Sequence, residues 1–294
     1  MDRLKILSVP PALRRPILIM AFTGWNDAAE SATTAARYLS ASFHGEKFAE
    51  IDPEEFYNFS LSRPYVRYKS GSETEREIIW PFTEFSVCQA PELSRDFVVG
   101  VAPEPHLRWR TYCEDVMTLA EQCRITLVLT LGALLAEVPH TRPIRLSGNA
   151  SDPEMAARLG TRPSRYEGPT GIVGVLGTAS RERGLATATL WANVPHYISG
   201  IENPKATLAL VRRVLPLVGA DTDTSDLEDA GRQFDQNLKE IVSQNAKIAG
   251  YVKKLEARAS EDEEEQPTRP ASDLPPASEL VAEIEQFLRQ QRPE

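Results

Sequence analysis

The sequence predicts a layered α/β domain, and three observations carry that prediction. Short apolar runs at 16–22, 97–101, 125–131 and 186–191 read as strands buried on both faces. Helical patterns near 28–41, 107–122, 170–183 and 204–215 alternate with them, the rhythm of a largely parallel sheet between helices. The chain's 294 residues, 41% of them hydrophobic, are enough to bury such a core.

In chain order, the first element is the stretch "ILIMAFTGWNDAAE" at 17–30, where a buried strand surfaces at Gly24, Trp25, Asn26 and Asp27 and passes into an alanine-rich helix. Asp27 and Glu30 have the spacing of a capping box. Ala28, Ala29, Ala32, Ala35 and Ala36 give a small face that lets the helix lie close on a sheet. In open parallel sheets ligands settle at the carboxyl ends of strands, and a helix N-terminus there offers free N–H groups. Asp27 is therefore a candidate cap and a candidate pocket residue at once.

Residues 56–82 break the α/β rhythm. "YVRY" at 65–68 and "EIIW" at 77–80 flank the polar "KSGSETER", which reads as an inserted hairpin whose aromatic content is better spent on a partner subunit than on solvent. Two similar strand ends follow, Glu137-Val-Pro-His140 and Asn193-Val-Pro-His196. They place two imidazoles on one rim if the strands are parallel, as loop histidines bonded to backbone or as a shared site suited to proton transfer. Between them, Gly168, Gly171 and Gly174 approach an anion, or Gly171, Gly174 and Gly177, three residues apart, let a helix pack tightly. Arg142 and Arg145 are open to an anionic ligand or to surface ion pairs.

Asn203-Pro204 is a strong helix start, with Leu208, Val211, Leu215 and Val218 as its buried stripe and Pro216 and Gly219 as its end. Ser225-Asp-Leu-Glu228 has the form of a second capping box and opens a helix to about 258. Phe234, Leu238, Ile241, Asn245, Ile248, Val252 and Leu255 form its heptad seam, with Asn245 as the polar exception. The acidic, proline-rich 261–276 reads as a disordered, protease-sensitive linker. Ser278 then caps an amphipathic helix with Leu280, Val281, Ile284, Phe287 and Leu288 on one side. The expected division is a core at 1–220 with the hairpin at 56–82, a helical segment at 221–258, a linker at 259–277 and a short helix and tail at 278–294.

Composition narrows the function classes. The net charge is −9, of which −7 lies in 256–294, so the folded part is nearly neutral and nucleic acid is not an expected partner. No apolar run reaches the length of a membrane span, and no secretory leader is recognisable, so a cytoplasmic protein is expected. Three cysteines without C-x-x-C spacing argue against a disulfide framework or a zinc site. Neither metal nor cofactor is expected. The sequence holds no P-loop, no G-x-G-x-x-G, no H-E-x-x-H and no G-x-S-x-G.

Five motifs in order, "AFTGWNDAAESAT", "GALLAEVPHTRP", "YEGPTGIVG", "WANVPHYI" and "NPKATLALVRRV", resemble the proteasome assembly chaperone 2 family in its long actinobacterial form, from about residue 4 to residue 255. The resemblance implies a three-layer α/β/α sandwich like the nucleoside phosphorylase/hydrolase core. It further implies an oligomerising hairpin at 56–82, a C-terminal helical lid over a ligand site, and a homotrimer. Some members of that family engage proteasome rings through a C-terminal hydrophobic-Tyr-any tail. This sequence ends Gln291-Arg-Pro-Glu294, so that route is not expected.

The leading expectation is an assembly factor or ligand-binding protein whose partners are proteasome subunits or a small molecule. Its cleft would be rimmed by Trp25, Asn26, Asp27, Gly132, His140, Gly171, Asn193 and His196. The rival is a phosphorylase- or hydrolase-like enzyme in that cleft, with Asp27, His140 and His196 as candidate catalytic groups.

Overall fold

The computed structural model describes residues 3–160 and 166–264. In chain order it contains β1 (Leu4–Ile6), β2 (Ile17–Thr23), a 3-10 turn (Ala28–Glu30), α1 (Ser31–Ser42), β3 (Glu46–Ile51), β4 (Tyr65–Tyr68), β5 (Arg76–Ile79), β6 (Thr83–Cys88) and β7 (Phe97–Pro103). Then follow α2 (Trp109–Gln122), β8 (Leu127–Ala136), β9 (Leu146–Ala150), α3 (Pro153–Leu159), α4 (Ile172–Glu182), β10 (Ala186–Pro195), a second 3-10 turn (His196–Ile198), α5 (Pro204–Val218), α6 (Ser225–Gln244) and α7 (Ala246–Glu264).

Eight strands form one sheet in the order β1-β3-β6-β7-β2-β8-β10-β9. The four runs legible as strands, β7, β2, β8 and β10, are its parallel centre, and antiparallel wings flank them. The sheet is thus parallel over half its strands only. The wings are half-exposed and lack a continuous apolar run, which is why the sequence does not announce them.

Alternation along β2 builds the three layers. Ile17, Ile19 and Ala21 face α1 and α5, meeting Ala32, Ala35, Ala36, Leu39, Leu210 and Val214. Leu18, Met20 and Phe22 face α2 and α4, meeting Tyr112, Val116, Ile172 and Leu176. The small face of α1 lies against β2, β7 and β8, as its alanines imply. Asn203 caps α5 by accepting the Ala206 N–H at 3.1 Å, with Pro204 at the first position and Gly219 closing the helix at φ +67°.

The heptad seam is present, but not on one helix. Asn245 adopts φ −130° and ψ 106° between α6 and α7, and its Oδ1 accepts the N–H groups of Lys247 at 3.0 Å and Ile248 at 3.3 Å. The polar residue in the seam is therefore a break and a cap, and the two halves close together on Tyr197 and Ile198. The second capping box does not form. Ser225 donates its N–H to Asp223 Oδ1 at 2.9 Å, while Glu228 accepts from the Arg212 guanidinium. α7 runs on to Glu264, into the stretch expected as linker. The rest of that stretch and the amphipathic helix at 278–290 lie outside the described residues.

The hairpin stands apart as its own two-stranded sheet, Tyr65 opposite Ile79 and Tyr68 opposite Arg76. At its base Trp80 packs edge-on against Phe59, centroids 5.0 Å apart. Cys88, Cys113 and Cys123 are free and buried, and burial pushes the Cys123 thiol up to about 11.

Two glycines distinguish tight packing from open space. A Cβ on Gly148 in β9 would stand 2.0 Å from the Thr189 carbonyl oxygen, whereas one on Gly177 in α4 would meet nothing within 4 Å. Gly177 is thus not a close-packing position. Gly148→Ala is expected to cost about 1–3 kcal/mol through overpacking against backbone. Gly177→Ala is expected to gain up to about 1 kcal/mol from helix propensity. Urea unfolding midpoints check both signs.

Candidate functional site

The turn after β2 is built around one buried carboxylate. Gly24 takes φ +104°, and Ala29 and Glu30 follow at φ 54° and 51°, left-handed conformations that are costly for non-glycine residues. Asp27 over-determines them by reaching across the turn. Its Oδ1 accepts the Ala32 N–H at 2.6 Å and the Thr33 N–H at 3.3 Å, and its Oδ2 accepts the Thr33 hydroxyl at 2.5 Å. Glu30 stays exposed and makes no reciprocal bond, so Asp27 caps α1 alone and the expected capping box is absent. Burial raises the Asp27 pKa, against the lowering effect of its bonds to Thr33 and Ala32.

Asn26 is fully buried beside it. Its Nδ2 donates to Glu104 Oε1 at 2.7 Å, and the same oxygen accepts the Ile172 N–H at 2.9 Å, the first of α4. Glu104 thus occupies the anion position at that helix N-terminus. A Cβ on Gly171 would lie 2.4 Å from Asn26 Oδ1 and 2.7 Å from Glu104 Oε1, so only glycine fits there. Asn26 Oδ1 itself is buried without a partner. Asn26 and Gly171 are brought together as expected, and Glu104 is the member the sequence reasoning missed. A signal existed: Glu104 follows β7 immediately, beside the end of β2, where Thr23 pairs with Pro103. Gly168 lies on the exposed loop before Gly171, outside this contact.

The two histidines meet around Tyr197. His140 is buried, and both its N–H, at 2.8 Å, and its Nδ1, at 2.7 Å, contact the Tyr197 hydroxyl oxygen. His196 places Nδ1 3.1 Å from the Ala136 carbonyl oxygen and Nε2 3.0 Å from the Tyr251 hydroxyl on α7. The ring centroids of His140 and His196 stand 5.9 and 5.6 Å from that of Tyr197. Lys205, in the first turn of α5, donates to the His140 carbonyl at 2.9 Å and bridges to Asp235 of α6 at 2.7 Å. Burial foremost, and then the Lys205 charge, lower the His140 pKa.

The remaining expected residues take other roles. Gly132 leaves room for the Trp191 indole, since a Cβ there would meet its Cε3 at 2.5 Å. Asn193 is half-buried in β10 opposite Leu134, and its backbone N–H goes to the Arg145 carbonyl at 3.1 Å. Trp25 is 65% exposed. Arg142 and Arg145 reach α7, at Ser260 and the Ala259 carbonyl. One cleft rimmed by all eight residues is therefore not what the structure builds. It builds two centres at the carboxyl ends of the parallel strands, joined where Asp27 bridges to Ala133 and Ala29 accepts the Asn203 N–H at 3.3 Å. A groove of about 740 Å³ runs between α2 and α4, past Thr170 and Gly174.

Two outcomes follow for the buried groups. Asp27→Ala is expected to destabilise by about 1–2 kcal/mol, the cost of an N-cap, and Asp27→Asn by less, because an amide keeps one acceptor. Since the Asp27 pKa is raised in the fold, its contribution is full below the unfolded pKa and is lost as pH climbs through the folded value. His140 has the opposite sign. Its lowered pKa gives stability above the ordinary histidine range that is lost on acidification, and His140→Gln is expected to flatten that slope in denaturation curves taken across pH.

Comparison with known proteins agrees with this architecture. The PAC2 family model matches residues 21–242. A PAC2 family protein from Streptomyces avermitilis is 40% identical, with a TM-score of 0.74 over 81% of this chain and 99% of that one. A proteasome-assembly chaperone homologue from Mycobacterium tuberculosis is 38% identical, with a TM-score of 0.73 over 80% of this chain and 99% of that one. An archaeal proteasome activator from Pyrococcus furiosus shares the fold at 16% identity, with a TM-score of 0.63 over 81% of this chain and 97% of that one. A search of curated proteins gives no significant match. The chain belongs to the PAC2 family.

Proposed function

We propose that the protein is a cytoplasmic assembly factor that works as a homo-oligomer, a trimer, and engages proteasome subunits. The observation that carries this reading is the hairpin of β4 and β5. Tyr65, Val66, Tyr68 and Ile78 are each more than half exposed, at 59%, 58%, 53% and 54%. Backbone pairing sets the register of the strands, and exposed Arg67–Glu77 and Lys69–Glu75 pairs accompany it. Val66, Tyr68 and Ile78 share one face of the hairpin, and exposed apolar side chains grouped in this way fit an association surface better than a solvent-facing one. The family match and the assembly-chaperone relative point the same way.

The state of the candidate catalytic groups also favours binding over chemistry. Asp27 caps α1, His140 contacts Tyr197, and both ring nitrogens of His196 have partners. Each is committed to holding the fold, whereas a general acid or base needs a free path to substrate.

Light scattering of the purified protein tests the reading. The wild type is expected at three times the chain mass, and Tyr65→Ser with Ile78→Ser is expected to yield folded, smaller species. Titration against proteasome α-subunits is expected to show binding that the same double substitution weakens. A monomeric wild type that binds no proteasome subunit would end this proposal.

A further inference from the structure

At the opposite end of the parallel strands lies a cavity of about 440 Å³, lined by Arg15, Arg95, Thr126, Asp152, Glu154 and Arg158 among others. Arg15 precedes β2, Arg95 precedes β7, Thr126 precedes β8 and Arg158 comes from α3, so the site is assembled from four separate parts of the chain.

Elsewhere some arginines meet neutral acceptors, as Arg142, Arg181 and Arg213 do, and others are ion-paired. Arg3, Arg14, Arg183 and Arg212 each pair with a carboxylate. Arg95 does not. Its Nε donates to the Arg15 carbonyl at 2.9 Å and its guanidinium to the Thr126 hydroxyl at 2.5 Å, both neutral acceptors. Among the described residues the side chains of Arg15 and Arg158 make no ion pair or hydrogen bond. Two acids share the wall, and neither forms an ion pair with these arginines. Asp152 accepts the Met155 N–H at 2.8 Å as the α3 cap, and Glu154 is exposed.

Three arginines and two carboxylates thus line one space, which leaves one positive charge in excess, and none of the three arginines is held in an ion pair. Burial and the charges of Arg15 and Arg158 each lower the pKa of Arg95, so its own charge is held there at a cost that an incoming anion offsets. Guanidinium forks bind oxyanions bidentately, and a phosphoryl group, with three oxygens and more than one negative charge, matches several forks better than a single carboxylate with two oxygens and one charge. The volume lies in the range of small-molecule sites. We propose that this cavity binds a small phosphorylated molecule through Arg15, Arg95 and Arg158. The site lies at the other end of the sheet from the centres at Asp27 and His140, and it stands or falls independently of the assembly role.

Calorimetric titration of the full chain with sodium pyrophosphate, in about 150 mM salt to screen unspecific attraction, tests the site. Saturable one-to-one binding is expected. Arg15→Ser and Arg158→Ser, both at exposed positions that leave the fold intact, are each expected to weaken it by about tenfold, the loss of one charge-assisted contact. Arg181→Ser, on exposed α4 surface, is expected to leave it unchanged. Absence of saturable binding, equal weakening by Arg181→Ser, or no weakening by Arg15→Ser and Arg158→Ser overturns the site. Equal or tighter binding of citrate at matched ionic strength overturns the phosphoryl assignment.

Discussion

The carboxylate of Asp27, bonded to the start of α1, is the interaction on which the carboxyl end of the sheet depends. It turns the chain through two consecutive left-handed residues, Ala29 and Glu30, that local preference disfavours. From that turn Ala29 accepts the Asn203 N–H, which fixes where α5 begins. The first turn of α5 carries Lys205, and Lys205 joins the His140 loop to α6. One buried acid is thereby linked, through successive contacts, to the place where α6 packs. That dependence explains why the acid stays buried although burial disfavours its charged form.

Tyr197 plays the matching role under the cover. Its hydroxyl receives the His140 backbone, and its ring meets His140, His196 and Tyr251. Four polar aromatic rings packed edge to face give a satisfied network rather than a cavity, and such networks specify one arrangement when every member has a partner. Two histidines raised in matching contexts by β8 and β10 are used here to seat a helix pair.

Much of the fold was legible because the central strands are buried on both faces and leave unbroken apolar runs. The hairpin was legible from two aromatic-bearing runs flanking a polar stretch, and α5 from Asn203-Pro204, where side-chain chemistry and backbone restriction agree. What escaped has a common cause. The wing strands are half-wet and short, so no period stands out. The two capping boxes failed because Glu30 and Glu228 had alternatives in solvent or in an arginine, and spacing alone does not show competition. Asn245 looked like a polar seam residue, since a heptad pattern continues across a break whose two sides face the same core. Of the expected residues, those at strand ends follow from position, and the structure groups Asn26 with Gly171 and His140 with His196 around Tyr197. Glu104 was missed because it is contributed across the sheet from a neighbouring strand, a relation that exists only once the strands are paired.

The break at Asn245 leaves the cover in two pieces with separate anchors. α6 is fastened through Asp235 to Lys205, and α7 through Tyr251 to His196 and through Glu256 to Thr141. A single rod would have to let go of everything at once. A jointed one divides its anchoring, so loss of either set of contacts leaves the other half held.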